Sequence, residues 1–173
     1  MTDTLTTPSI YVACLASYNN AILHGRWIPL DQDIEDVWNE IRNILASSPE
    51  PDAEEYAIHD YEGFGSYPVS EYEGIEHVHN LAAFILEHED IGLALLENNS
   101  GDVEEATRVL ENYIGSFEAL TDFVTEHLSN IGASIPDFLE CYLNYEDIGR
   151  DMQINGEIEV IETAWNEVHV FYA

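Results

Sequence analysis

Apolar residues along the chain repeat first at every second position and then at every third or fourth, and each change of period marks a change of element. In residues 9–16, Ile10, Val12, Cys14 and Ala16 fall on one face, the pattern of a buried strand. Asn19-Asn20 is a turn signal, and residues 23–30, with Trp27 and Ile28, predict a second strand. Beyond it, Ile34, Val37, Trp38, Ile41, Ile44 and Leu45 form a helical stripe. That stripe opens behind Asp31 and Asp33, acids suited to a helix N-terminus. The Ser47-Ser48-Pro49-Glu50-Pro51 run ends the helix, and residues 54–60 predict a third strand.

Gly63, Gly65 and Pro68 then break the pattern, the best candidate for a domain boundary. Ile75, Val78, Leu81, Ala82 and Ile85 predict a second helix, and residues 91–96 a short third one. Residues 98–101 read as a turn. Asp102, with Glu105 three residues on, resembles a capping pair and predicts a helix to about residue 113. Leu120, Phe123, Val124, His127 and Leu128 mark another helix, and Pro136 opens a shorter one at a favoured first-turn position. Asn155-Gly156 announces a turn, and residues 157–163 and 167–172 alternate as two final strands. No sustained repeat, coiled-coil heptad or low-complexity tract appears. The expected class is α+β in two or three small lobes.

With 173 residues, 46% of them apolar, and with ten Tyr, six Phe and three Trp, the chain can bury a core. Charge-driven disorder requires low hydrophobicity as well, and that condition is missing. No apolar run approaches the ~20 residues of a membrane span. Residues 1–8 lack the basic start and apolar core of a signal peptide. Cys14 and Cys141 lie far apart in apolar runs, which predicts core thiols and no disulfide framework; we expect a cytoplasmic protein. Tyr11, Trp27, Trp38 and Phe84 fit core stripes.

Charge changes this ordinary picture. Thirty-five Asp and Glu face four Arg (Arg26, Arg42, Arg108, Arg150) and no Lys, for a formal net charge of −31. Between Arg42 and Arg108 lie sixteen carboxylates and no Lys or Arg. Such a field repels nucleic acid and anionic membranes, and it destabilises the compact state through self-repulsion. Neutralising lysines would relieve that cost, so the charge is expected to serve function. Adaptation to high salt also favours acidic surfaces but usually trims large hydrophobics, which this chain keeps.

Some acids fall in rows. Glu118, Asp122 and Glu126 stand at i, i+4 and i+8 on the helix predicted at Phe123, opposite its apolar face; Asp33, Asp36 and Glu40 stand at i, i+3 and i+7 on the first helix. Neighbours at these spacings are roughly 5–6 Å apart, and like charges there cost about 0.2–0.5 kcal/mol per pair. At i, i+4, only Glu104–Arg108 and Glu146–Arg150 pair opposite charges. Solvation explains an acidic face on one helix. A whole chain without Lys points instead to imitation of DNA phosphates, whose separation along a strand is close to that of these rows. Duplex DNA carries roughly one charge per 1.7 Å of axis, so a net charge of −31 matches about 53 Å, or some fifteen base pairs. A compact globule of this length has a radius of gyration near ~16 Å. Display at DNA-like density therefore calls for an elongated chain or a pair of chains. The expected decoy surface comprises Asp33, Asp36, Glu40, Glu62, Glu71, Glu73, Glu76, Glu87, Glu89, Asp90, Glu97, Asp102, Glu104, Glu105, Glu111, Glu118, Asp122 and Glu126.

Other chemistry is weakly signalled. His77-x-His79 would suit a metal on a strand, but the pattern there is helical, and residues two apart on a helix do not share a face. Asp31-x-Asp33-x-Glu35 lacks the glycine of an EF-hand loop, and Arg42 takes the place of its final glutamate. No phosphate-binding glycine loop and no basic patch is present. We expect no enzyme: no catalytic residues, no cofactor, no metal, and no direct contact with nucleic acid or membrane.

The sequence resembles a known family. Ile10-Tyr11-Val12-Ala13, Tyr18-Asn19-Asn20 and Leu23-His24-Gly25-Arg26-Trp27-Ile28 resemble the start of the ArdA antirestriction proteins, as does the run from Glu54 to Phe64. The run from Tyr142 to Met152 and the terminal Val168-His169-Val170-Phe171 follow in order, so the resemblance covers nearly the whole chain. It implies a DNA-mimic inhibitor, carried by mobile elements, that fills the DNA-binding channel of type I restriction–modification enzymes, in their methyltransferase core. It also implies an elongated protomer of three small domains that forms a homodimer through the last. With breaks near Gly63 and Gly101, these are a β/α domain at 9–62, a helical domain at 63–101 and an α+β domain at 102–173. Phe138, Leu139 and Tyr142 are the expected dimer contacts. Ala119 and Thr121 depart from the family's pattern, standing where a more acidic stretch is expected. From charge alone, the alternative is an acidic module that sequesters basic proteins or divalent cations.

Overall fold

The computed structural model describes residues 6–173. Its backbone divides into two compact units, one reaching Val103 and the other spanning Glu104–Ala173, and the class is α+β as predicted.

In the first unit, β1 (Ser9–Cys14), β2 (Gly25–Pro29) and β3 (Tyr56–Glu62) form an antiparallel sheet in the order β2-β1-β3. Ile10, Val12 and Cys14 are fully buried, the inward half of a period-two pattern. Ala16 does not continue it. The chain turns instead into a five-residue helix, α1 (Leu15–Asn19), too short to leave a helical period in the sequence. Trp27 is likewise not a core residue. It is 41% exposed, pairs across the ladder with Tyr11 and meets that ring edge-on at 5.7 Å. The neighbouring pair Ile10–Ile28 takes the buried face, so alternation sends Tyr11 and Trp27 to the other.

Helix α2 (Ile34–Ala46) lays Val37, Ile41 and Ile44 inward and packs on β1 and β2. Trp38 on the same helix is only half-buried, and its indole N–H donates to Glu76 Oε1 at 3.1 Å. Helix α3 (Ile75–Asn98) runs through both helices predicted there, with a break at Glu89, where φ is 53° and ψ −135°. Ile75, Val78, Leu81, Phe84 and Ile85 are buried before the break, and Leu95 and Leu96 after it. Its end closes as a Schellman motif: Ser100 takes φ 54°, its N–H donates to Glu97 O at 3.4 Å, and Gly101 N–H donates to Leu96 O at 2.8 Å.

Helix α4 (Val103–Glu111) leads into the second unit. Where the predicted helix runs to about 113, the chain instead forms β4 (Tyr113–Phe117). This strand pairs with β6 (Glu167–Tyr172), which pairs with β5 (Ile158–Ala164), all antiparallel in the order β4-β6-β5. Helices α5 (Leu120–Asn130), α6 (Asp137–Glu140) and α7 (Tyr145–Ile154) complete it. Phe123, Val124, Met152, Ile158, Val168 and Val170 form its core. Gly149 lets α7 approach α5, since a Cβ there would stand 2.8 Å from the Leu120 side chain. Buried His169 is held between Tyr113 Oη at 2.9 Å and Thr163 Oγ1 at 3.0 Å. Among the described residues, no helix is long and apolar enough to cross a membrane.

Candidate functional site: a carboxylate surface

No Asp or Glu among the described residues is buried. Of the acids predicted for the decoy surface, Glu40, Glu73 and Glu105 are half-buried and all the others are exposed. The folding logic is direct. Amphipathic helices turn Val37, Ile41 and Ile44 of α2, and Phe123 and Val124 of α5, inward, and carboxylates take what remains.

The predicted rows are shorter than their spacing implies. Asp33 precedes α2 as its N-cap residue, with extended φ −62° and ψ 143°, so only Asp36 and Glu40 lie within the helix. Glu118 is outside α5 altogether, because Phe117 still pairs with Val168 and Ala119 is extended (φ −149°, ψ 158°). Asp122 and Glu126 alone share that helix. Asp122 also has local work, since its Oδ2 accepts the Ala119 N–H at 3.0 Å.

Several acids are fixed by partners. Glu62 accepts from Ser9 Oγ at 2.9 Å, and Glu97 from Ser66 N–H at 2.7 Å. Glu73 accepts from Tyr67 Oη at 2.8 Å and from Ser70 N–H at 2.7 Å, and lies 3.2 Å from His77 Nε2. The field of these charges reaches the tyrosines. Burial, the hydrogen bond to Glu73 and the charge of Glu73 together push the Tyr67 phenol up to about 12. Tyr56 is raised by burial and then by Glu76, Tyr113 by burial and then by Glu167, and Tyr72 chiefly by the charge of Glu71.

Positive charge is locally occupied. Arg26 stands 4.0 Å from Glu40, Arg108 stands 2.6 Å from Glu105 and 3.9 Å from Glu104, and Arg150 reaches Asp147 at 2.6 Å rather than Glu146. Arg42 donates to Asn39 Oδ1 at 2.7 Å. These exposed pairs contribute at most about 1 kcal/mol each, and they leave the surrounding carboxylates in large excess.

His77 faces Glu73, whereas His79 Nε2 lies 2.8 Å from Gln32 O, so the two rings are directed to different partners. Among the described residues, no group of three or more His, Cys, Asp or Glu is arranged to hold a metal ion. Cys14 is buried beside Ser48, but Cys141 is exposed, because the single turn of α6 buries nothing. Phe138 and Tyr142 are 72% and 80% exposed, and Leu139 is exposed as well.

Two hollows in the first unit escaped the sequence reading, because each gathers side chains from separate segments. One, of about 520 Å³, lies between the α2 entrance and α3, among Asp31, Asp33, Asp36 and His79. The other, of about 370 Å³, is lined by Tyr18, Ile58, His59, Tyr61, Val69 and Glu71.

Fold and surface together define an acidic α+β protein whose cations are locally engaged and whose carboxylates remain at the surface. The family model described as antirestriction protein (ArdA) matches residues 10–167, and the chain belongs to that family. No curated protein matches it. Its function is antirestriction.

Proposed function

We propose that the protein counters restriction by standing in for DNA. Its surface carboxylates occupy the DNA-binding channel of a type I restriction–modification enzyme, in the methyltransferase core, and exclude the duplex. The observation that carries this reading is that no described Asp or Glu is buried and most are exposed, while the arginines are tied to neighbouring side chains. A channel lined with Lys and Arg to receive phosphates offers such a surface the same charge-assisted contacts. Affinity is spread over many groups, so neutralising one ordinary surface acid changes little.

The reading extends to assembly. Exposed Phe138, Leu139 and Tyr142 provide apolar area of the kind found at interface centres, and we assign them to a homodimer. Domains at 9–62, 63–101 and 102–173 are the corresponding functional divisions. The test is competition: purified protein added to a type I methyltransferase bound to labelled duplex should displace the DNA at low stoichiometry. Retention of the DNA at modest salt overturns the proposal.

A further inference from the structure

The hollow beside β3 is built unlike the rest of the acidic surface. Along the β1–β3 ladder, Tyr11 pairs with Asp60 and Val12 with Ile58, which leaves His59 without a partner across the ladder. It is the extra residue of a β-bulge, a device that re-aims a side chain. His59 here lines the cavity, and the Tyr18 ring of α1 meets it edge-on at 4.5 Å and 77°. Tyr61, two residues along, lines the same cavity and meets Phe64 edge-on at 6.2 Å. Glu71 arrives from the following loop and is pinned there by its main chain, whose carbonyl accepts the Ile58 N–H at 2.9 Å. Its Oε1 lies 3.8 Å from His59 Nε2, and half its side chain remains open to solvent. Buried Ile58 and Val69 supply an apolar floor.

We propose that this cavity is a socket for one arginine side chain presented by the protein partner, a refinement that rests on the DNA-decoy reading. A guanidinium is planar, stacks on aromatic rings, and pairs with a carboxylate through two N–H groups, whereas an ammonium does so only as a point charge. The rings of Tyr18 and Tyr61, the Glu71 carboxylate and the apolar floor match the head and the methylene stem of such a side chain. A volume of about 370 Å³ lies near the small end of ligand cavities, roughly 300–1,000 Å³, so it suits a single side chain better than a folded segment. The surrounding negative field would concentrate cations at its mouth. Elsewhere on the surface a carboxylate can meet any cation; here the rings select which one.

The direct test uses the full chain and N-acetyl-arginine amide as probe. Titration followed by NMR should shift the ring protons of Tyr18, His59 and Tyr61 saturably. Glu71→Gln should abolish the shift while keeping the main-chain bond to Ile58, and Tyr18→Ala should weaken it. Equal shifts with N-acetyl-lysine amide or with sodium chloride, or an unchanged titration in Glu71→Gln, overturn the socket. In DNA displacement, the double variant Tyr18→Ala/Glu71→Gln should need about fivefold more protein than the parent, and Gln153→Ala, an exposed uncharged position outside the carboxylate surface, about the same amount as the parent. If the parent displaces DNA and the double variant does so equally well, the socket fails and the decoy reading stands. If the parent displaces none, the decoy reading fails, and the arginine titration still decides the cavity.

Discussion

Tyr67 and Glu73 illustrate what the acidic surface does to a single residue. The phenol donates to the carboxylate at 2.8 Å, and its ionisation is pushed up to about 12 from an ordinary 10.0. A raised folded-state value means that the bond's contribution to stability is complete below pH ~10 and is lost as pH climbs towards ~12. Thermal unfolding measured across that window should show a falling melting temperature, and Glu73→Gln should flatten part of the fall. In the same variant, spectroscopic titration should find the latest-ionising phenol shifted to lower pH. Ser100 gives a second prediction at this scale. It holds φ 54° in the α3 cap, a conformation glycine adopts freely. Ser100→Gly should therefore stabilise the chain by about 0.5–1 kcal/mol in denaturant unfolding.

Elements were legible where one period ran long enough and hidden where it did not. The stripe from Ile34 to Leu45 gave α2, and the alternation after Gly156 gave β5 and β6. The break between the helical patterns ending at Ile85 and starting at Ile91 is the non-helical Glu89 inside α3. Three elements were missed for identifiable reasons. Helix α1 is too short to show a period; β4 is five residues with Gly115 at its centre; α7 carries Gly149 in its interior, which lowers helix propensity. That glycine is there for packing, so Gly149→Ala should drive a methyl into Leu120 and Val124 and destabilise by about 1–3 kcal/mol, measured by denaturant unfolding. The acidic surface was readable because carboxylates resist burial wherever they fall. Its rows were not, because the boundaries of α2 and α5 exclude Asp33 and Glu118. The His59–Glu71 hollow was not readable either, since a bulge and a main-chain bond from the loop after β3 create it. Variants that test the α5 face should use Asp122→Asn, which keeps an oxygen for the Ala119 N–H, so that lost inhibition is not confused with a lost cap.

At the scale of the molecule, a formal charge of −31 makes ionic strength the natural control variable. Charges at an exposed contact are screened within about 8 Å at physiological salt, so affinity for a basic channel should fall steeply as salt rises. Sequestration of basic proteins in general would share that salt dependence but not the preference for one channel. The measurement that separates the two most directly is displacement of labelled duplex from a type I methyltransferase core, run beside a histone-like protein at matched salt. The decoy account predicts displacement near one protein assembly per channel, weakening steeply with salt, and much weaker capture of the histone-like protein. DNA that stays bound at modest salt, or equal affinity for both basic partners, contradicts it.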